Sequence, residues 1–449
     1  MDCVIGIRRE DKNRWERRVP LTPDAVRHLA DQGIRVAVQP SPIRVFTDAE
    51  YVRAGAEVRE DLDDCFLVMG VKEMPRGFFR EGGVYLFFSH TMKGQPANME
   101  MLAEILRKRA TLVDYELITD DEGRRLVAFG HFAGLAGMLD GLWALGRRLA
   151  EEGIVTPFAG ALRAWEFRDL AEAKAATERL GRQIADEGLP AEVAPLVFGV
   201  TGYGRVARGA REILDLLPVR EVAPEDLPAL LAEPAGAHRR HVYVTTFRKE
   251  HMYRRKVDGG FDLAELNDHP GRYESRLVEF LPHLTVLVNA LYWEPRFPRL
   301  VTREMLADLW AGERSPRLRL IDDITCDIRG SIEATVKPTD PDRPTYLYLP
   351  DRDEAVDDAW TGRGPVVLAV DNLPCELPRE ASEEFSGALA PFVPALARAL
   401  GPDGLDLEKL PAPLRRAVIA HRGELMPRHA HLADLLPGGP GNRELRHAS

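Results

Sequence analysis

The chain has 449 residues, 45% of them hydrophobic and 29% charged. That is enough for two or three domains with sizeable cores, and too apolar for a disordered chain. A formal charge of −11 argues against nucleic acid or an anionic membrane surface as the main partner.

Val4–Ile7 is a short apolar run and predicts a strand. Thr22 as an N-cap, with Pro23 at the first helical position, starts a helix that runs to about Gln32 and stops at Gly33. Ile34–Val38 is the next strand, and a further helix and strand end in Cys65–Val71. Val84–Phe88 is again apolar and β-prone, Asn98–Arg107 is helical, and Thr111–Val113 is a strand. This alternation predicts an α/β domain with a mainly parallel sheet. Residues 131–150 form a long helix, and 151–193 read as charged helix punctuated by Pro190 and Pro195. The pattern then restarts, with strands at Leu196–Val200, Val219–Val222, His241–Phe247, Leu284–Leu291 and Leu318–Ile324. Val366–Val370 is a last strand, and a helix follows from about Arg379 to Leu400. The Gly/Pro-rich tail from Pro437 is predicted to fray. The expected fold is therefore two doubly wound α/β domains with a cleft between them, the second Rossmann-like. Residues 1–130, completed by 360–449, make the first domain, 131–193 connect, and 194–359 make the second.

Short basic clusters, Arg8-Arg9 and Arg254-Arg255-Lys256, read as solvated faces. The four cysteines, Cys3, Cys65, Cys326 and Cys375, contain no CxxC pair and no zinc-ligand set, so no metal is expected and the thiols read as reduced. No secretory apolar run follows Met1, and no uncharged apolar stretch reaches about 18 residues. The expectation is a cytoplasmic protein without a membrane segment.

Gly202-Tyr203-Gly204-Arg205-Val206-Ala207 is a G-x-G-x-x-A pattern between the strand Leu196–Val200 and a helix over about Arg205–Leu217. Gly202 permits a tight turn, Gly204 lets backbone approach a pyrophosphate, and Ala207 lets helix and strand pack closely. The helix N-terminus offers free N–H groups to phosphate. Tyr203 and Arg205 join the candidate nucleotide contacts. Glu221, about 20 residues on, stands where a carboxylate would hold a ribose 2′-hydroxyl. A surface glutamate is an equal alternative there.

In the first domain, polar residues cluster at strand ends. Lys72-Glu73 follows Cys65–Val71, His90 follows Val84–Phe88, and Lys93 lies three residues on. Such ends line the ligand crevice of open α/β sheets.

Four ordered motifs carry a family resemblance: Glu16-Arg17-Arg18-Val19-Pro20-Leu21-Thr22-Pro23, Gly70-Val71-Lys72-Glu73-Met74-Pro75, Phe87-Phe88-Ser89-His90-Thr91-Met92-Lys93 and Asp121-Glu122-Gly123-Arg124-Arg125-Leu126-Val127-Ala128-Phe129-Gly130. Further matches at 289–294, 323–327 and 371–382 extend it over nearly the whole chain. Together they resemble the alanine dehydrogenase and saccharopine dehydrogenase superfamily. Within it they are most like lysine-ketoglutarate reductase, the saccharopine-forming half of the bifunctional aminoadipic semialdehyde synthase. The resemblance implies condensation of L-lysine with 2-oxoglutarate and reduction of the imine by NADPH, with the active site in the cleft. It implies Lys72 and His90 as the acid–base pair, and Glu73 and Glu116 as acidic residues near them. It implies Arg18, Lys93 and Arg125 as cations for substrate carboxylates, and Asp327 and Asp371 as cofactor-side acids. The glutamate-forming second domain of the bifunctional enzymes is not in this sequence, so a separate glutamate-forming saccharopine dehydrogenase is a possible partner.

Three alternatives stay open on sequence. One is an NADH-linked, lysine-forming saccharopine dehydrogenase, which a ribose-binding Glu221 would favour. Another is alanine dehydrogenase. The third is a catalytically silent dinucleotide-binding subunit, against which the Lys72 and His90 pair argues.

Overall fold

The computed structural model describes residues 4–312, 316–357, 360–401 and 404–439, and in Lys93 the backbone only. The Gly/Pro-rich tail expected to fray thus lies outside the described residues from 440 on. By contacts the chain divides into two units, residues 1–129 with 378–449 and residues 130–377. Each is α/β.

The first unit is built on an eight-stranded sheet. Its order is Glu424–Leu425, Val418–His421, Thr111–Asp114, Val84–Phe87, Leu67–Met69, Val4–Ile7, Arg35–Val38 and Glu57–Val58. All strands from Thr111–Asp114 onward in that order are parallel, and the C-terminal hairpin adds on antiparallel. The central strands are apolar and fully buried along their lengths, as both-face coverage of a parallel sheet requires. Thr22 caps the helix Pro23–Asp31 by accepting from the Ala25 amide, as its position before Pro23 predicted. The helix Pro378–Leu389 is anchored to this unit, because the Val19 and Thr22 amides donate to the Ser382 and Ser386 hydroxyls at 3.0 Å. The helix expected to run from Arg379 to Leu400 is interrupted. A 3-10 turn over Ala390–Phe392 separates Pro378–Leu389 from Val393–Ala399, because Pro391 and Pro394 lack the amide donors a continuous helix needs.

The second unit is also built on eight strands. Their order is Glu354–Asp357, Thr345–Leu349, Val366–Leu368, Leu320–Asp323, Val286–Asn289, Leu196–Thr201, Val242–Phe247 and Val219–Glu221. The boundary lies at Leu377, not near residue 360, because Val366–Leu368 pairs in parallel with Leu320–Asp322. Residues 131–193 do not stand apart as a connector. The helix Gly130–Glu151 packs on Arg205–Leu214 inside this unit, and 157–166 forms two 3-10 turns before the helix Leu170–Glu187. The helix after the glycine-rich turn ends at Leu214, three residues earlier than expected.

Besides Asp323, the core of the second unit holds three carboxyls among the described residues. Asp140 and Asp322 are fully buried and Glu376 is 3% exposed. Asp140 accepts from the Ala164 amide at 2.8 Å. Burial pushes its carboxyl up to about 7, against the pull of that amide and of Glu376. Burial, then the charge of Asp140, raises Glu376 and Asp322 well above the carboxylate range. In the unfolded chain these groups titrate near about 4. Between about pH 4 and 7 the folded state therefore holds more protons, and stability falls as pH rises. Glu376→Gln is expected to flatten that fall and to raise Tm at pH 8. Parallel Tm profiles for the two proteins from pH 5 to 8 would remove the carboxyl trio as the cause.

Candidate functional site

In the first unit, four loops leave the carboxyl ends of neighbouring parallel strands, and these carry the polar residues. After Leu67–Met69 comes Lys72. Its backbone is held by Glu10, whose carboxylate accepts from the Val71 amide at 2.6 Å and the Lys72 amide at 3.1 Å. Burial, then repulsion by Arg18, holds the Lys72 ammonium below its ordinary value, so the neutral amine is easier to reach. Glu10 itself is pushed up to about 7 by burial and by Glu16, with the two amides opposing.

After Val84–Phe87 comes His90. Its backbone is left-handed, with φ of 51°, a conformation few non-glycine residues adopt. The bend lets Nδ1 meet Glu73 Oε1 at 2.6 Å. Glu73 also accepts from Lys12 Nζ at 2.9 Å. Burial raises the Glu73 carboxyl, but the His90 and Lys12 hydrogen bonds outweigh it and hold the group down at about 2. Glu73 is thus a fixed anion that orients the imidazole. Beneath it, the ring of Phe88 stacks on His90 at 6.2 Å and joins Tyr115, Phe129 and Phe385 in one aromatic cluster. Ser89 is pinned from the adjacent strand by Asp114, whose Oδ2 accepts from the Ser89 amide at 3.0 Å and from its hydroxyl. Burial raises Asp114 to about 6.

Arg18 is 3% exposed and Glu16 is 1% exposed. Arg18 Nε and Nη2 donate to the two oxygens of Glu16 at 2.8 and 2.5 Å, and the guanidinium lies 4.2 Å from the Phe129 ring centre. The substrate arginine expected from sequence is therefore already held by a fork to a buried carboxylate. Glu116 follows Thr111–Asp114, and Arg125 pairs with it at 3.2 Å with its own side chain half exposed. Lys93 lies on the 3-10 turn Thr91–Lys93, and its side chain lies outside the described residues. Lys72, Glu73, His90, Arg18, Glu116 and Arg125 thus all lie on loops beyond the strand ends.

Glu10 and Asp114 were not singled out from sequence. Both act on backbone amides distant in the chain, and no local pattern marks such a role.

In the second unit, Gly202 has φ of 85° and its amide donates to the Phe247 carbonyl at 3.2 Å. A Cβ there would sit 3.2 Å from the Ala290 oxygen, so a side chain would crowd the turn. A Cβ on Gly204 would meet nothing within 4 Å, so open space lies beside that backbone. Gly204 is the N-cap of Arg205–Leu214 and gives the helix no side-chain cap, which leaves its first amides to a ligand. Arg205 is exposed, Tyr203 is 60% exposed and Ala207 is buried. These features fit a dinucleotide pyrophosphate. Below them, Asn289 Nδ2 donates to Asp323 at 2.8 Å and to Ser331 at 2.9 Å, while its Oδ1 accepts from Thr201 at 2.8 Å. That buried network ties three strand ends together. Asp327 is half-buried and follows the strand Leu320–Asp323, and Asp371 is exposed.

Glu221 is not beside the glycine-rich turn. The strand Val242–Phe247 lies between Val219–Glu221 and Leu196–Thr201, and Glu221 pairs with Arg211. Among the described residues no cluster of acidic, histidine or cysteine side chains could hold a metal, and no helix is long and apolar enough to cross a membrane.

Residues 6–136 match the alanine dehydrogenase/PNT N-terminal domain family. The chain is 40% identical to the alpha-aminoadipic semialdehyde synthase of Arabidopsis thaliana, over 97% of its own length and 42% of the relative's. It is 37% identical to the mitochondrial synthase of Bos taurus, over 96% of its length and 48% of the relative's. It thus spans less than half the length of these relatives. The saccharopine dehydrogenase [NAD(+), L-lysine-forming] of Yarrowia lipolytica is 26% identical over 85% of the chain and 89% of the relative. Among solved structures, an L-alanine dehydrogenase superposes with a TM-score of 0.62 at 21% identity, covering 96% of this chain and 98% of that one.

Proposed function

We propose that this chain, a member of the alanine dehydrogenase and saccharopine dehydrogenase superfamily, condenses L-lysine with 2-oxoglutarate and reduces the imine to saccharopine, with NADPH as hydride donor. The observation that carries the reading is the Lys72, Glu73 and His90 constellation, backed by Glu10, at the strand ends of the first unit.

The chemistry asks for proton transfer at each step before reduction. The ε-amine of lysine attacks the ketone only when neutral. The carbinolamine then loses water, which leaves as such only after its oxygen is protonated. A lysine with a depressed value and a histidine fixed by an anion can take and return those protons. Lys72 is assigned as the base that accepts the amine proton, and His90 as its partner acid, with Glu73 fixing the ring through Nδ1 and leaving Nε2 for the reacting groups. Three substrate carboxylates need cations. Lys93 and Arg125 are assigned to them, with Arg18 lending positive charge from its pair with Glu16. Gly202, Tyr203, Gly204 and Arg205 would hold the dinucleotide, and Asp327 and Asp371 would lie toward it. When bound, the nicotinamide supplies the hydride. Cys65, Cys326 and Cys375 form no disulfide, which suits a reducing compartment such as the cytoplasm. A separate glutamate-forming enzyme would consume the product.

The test is a cofactor-oxidation assay. NADPH absorbance is expected to fall only when lysine and 2-oxoglutarate are both present. Oxidation that needs neither, or none with either NADPH or NADH, would remove the assignment.

A further inference from the structure

We propose that Arg248, at the tip of the strand Val242–Phe247, is the residue that selects a dinucleotide bearing a 2′-phosphate on its adenosine ribose. The inference rests on the reading that the glycine-rich turn holds a dinucleotide.

In a doubly wound nucleotide domain, the ribose next to the glycine-rich turn is met by the residue that ends the neighbouring strand. A carboxylate there binds the 2′-hydroxyl, and an arginine there accepts a 2′-phosphate. Sequence spacing assigns that residue to the second strand, which here ends at Glu221. The strand order breaks the assumption. The neighbour of Leu196–Thr201 on that side is the third strand, Val242–Phe247, and the second strand lies outside it. Neighbouring strands are spaced by about 4.8 Å, so Glu221 stands roughly 10 Å from the first strand. Its carboxylate is also engaged by Arg211.

The neighbouring tip is in register with the turn. Thr201 pairs with Phe247, and the Gly202 amide donates to the Phe247 carbonyl at 3.2 Å. The next residue is Arg248. It is exposed, and among the described residues its guanidinium enters no ion pair. Its amide donates to His251 Nδ1 at 3.1 Å, which fixes the bend of the chain after the strand. Lys249 beside it is turned to other work, donating to Asn267 at 3.3 Å and lying 5.5 Å from the Phe297 ring centre. The carboxylates nearby are Glu250, exposed on the same turn, and Glu225, which faces His251 Nε2 at 3.6 Å. A planar guanidinium can fork onto a phosphate, whereas a carboxylate at the same point would repel it.

Direct titration tests this without turnover. The full chain is titrated with NADPH, NADH, 2′,5′-ADP and 5′-AMP by calorimetry, with no lysine or 2-oxoglutarate present. The wild type is expected to bind NADPH and 2′,5′-ADP at least tenfold more tightly than NADH and 5′-AMP. Arg248→Ala is expected to weaken the two phosphate-bearing ligands at least tenfold and to move NADH by less than twofold. A wild-type preference for NADH would overturn the inference. So would an NADPH-to-NADH ratio unchanged in Arg248→Ala, and a ratio that moves only in Glu221→Gln would return selection to Glu221. Phosphate-dependent binding through Arg248 without lysine-dependent oxidation would sink the proposed reaction alone. Lysine-dependent oxidation with a ratio indifferent to Arg248 would sink this inference alone.

Discussion

Lys72→Met is expected to lower kcat with lysine and 2-oxoglutarate by about 10³-fold, the middle of the range for losing a positioned acid or base. Methionine has nearly the length of the lysine stem, so the half-buried position stays filled. The backbone clamp survives as well, because Glu10 accepts from the amides of residues 71 and 72 and not from the lysine side chain. Stability and NADPH affinity should therefore stay within twofold of wild type, since the glycine-rich turn belongs to the other unit. Stopped-flow absorbance gives kcat, and a dinucleotide titration gives the affinity. A kcat within threefold of wild type would mean that Lys72 is not the base.

Gly209→Ala and Gly134→Ala are expected to be strongly destabilising for substitutions that add a single methyl group. The helices Gly130–Glu151 and Arg205–Leu214 touch backbone to backbone where these two glycines meet. A Cβ on Gly134 would lie 2.0 Å from the Val206 oxygen, and one on Gly209 would lie 2.1 Å from the His131 oxygen. Neither clash can be relieved by a rotamer change, so the helices must separate. The cost is about 3 kcal/mol or more, at the upper end of overpacking effects. Because Arg205–Leu214 is the helix that opens at the glycine-rich turn, dinucleotide affinity should fall with stability. Gly204→Ala is the contrast, since its Cβ would meet open space. Urea unfolding checks all three. Gly209→Ala and Gly134→Ala as stable as Gly204→Ala would contradict the close crossing.

Much of this architecture was legible in the sequence because central parallel strands are apolar on both faces. Val84–Phe87, Leu196–Thr201 and Val286–Asn289 announce themselves as unbroken runs. Thr345–Leu349 and Val418–His421 give a weaker signal. They sit toward the sheet edges, where Tyr and His interrupt the run and the pairing is antiparallel. Strand order was not legible at all. Periodicity says that Val219–Glu221 is extended but not which strand lies beside it, and the spacing rule that pointed to Glu221 depends on that order. In the first unit, Lys72, Glu73 and His90 could be found because strand-end position and ordered motifs both marked them. Glu10 could not, because its function is to accept amides about sixty residues on. Arg18 was expected as a cation for a substrate carboxylate, and its bidentate bond to Glu16 needed coordinates. The interruption at Ala390–Phe392 is written in Pro391 and Pro394, which lack the amide donors of a continuous helix.

The most direct measurement is the identity of the product. The chain is incubated with lysine labelled at the ε-nitrogen, 2-oxoglutarate and NADPH, and the mixture is analysed by mass spectrometry. One new species is expected, which retains the label and has the mass of lysine plus 2-oxoglutarate, less water, plus two hydrogens. An unlabelled amino acid formed from a keto acid and free ammonia, with lysine left intact, would contradict it.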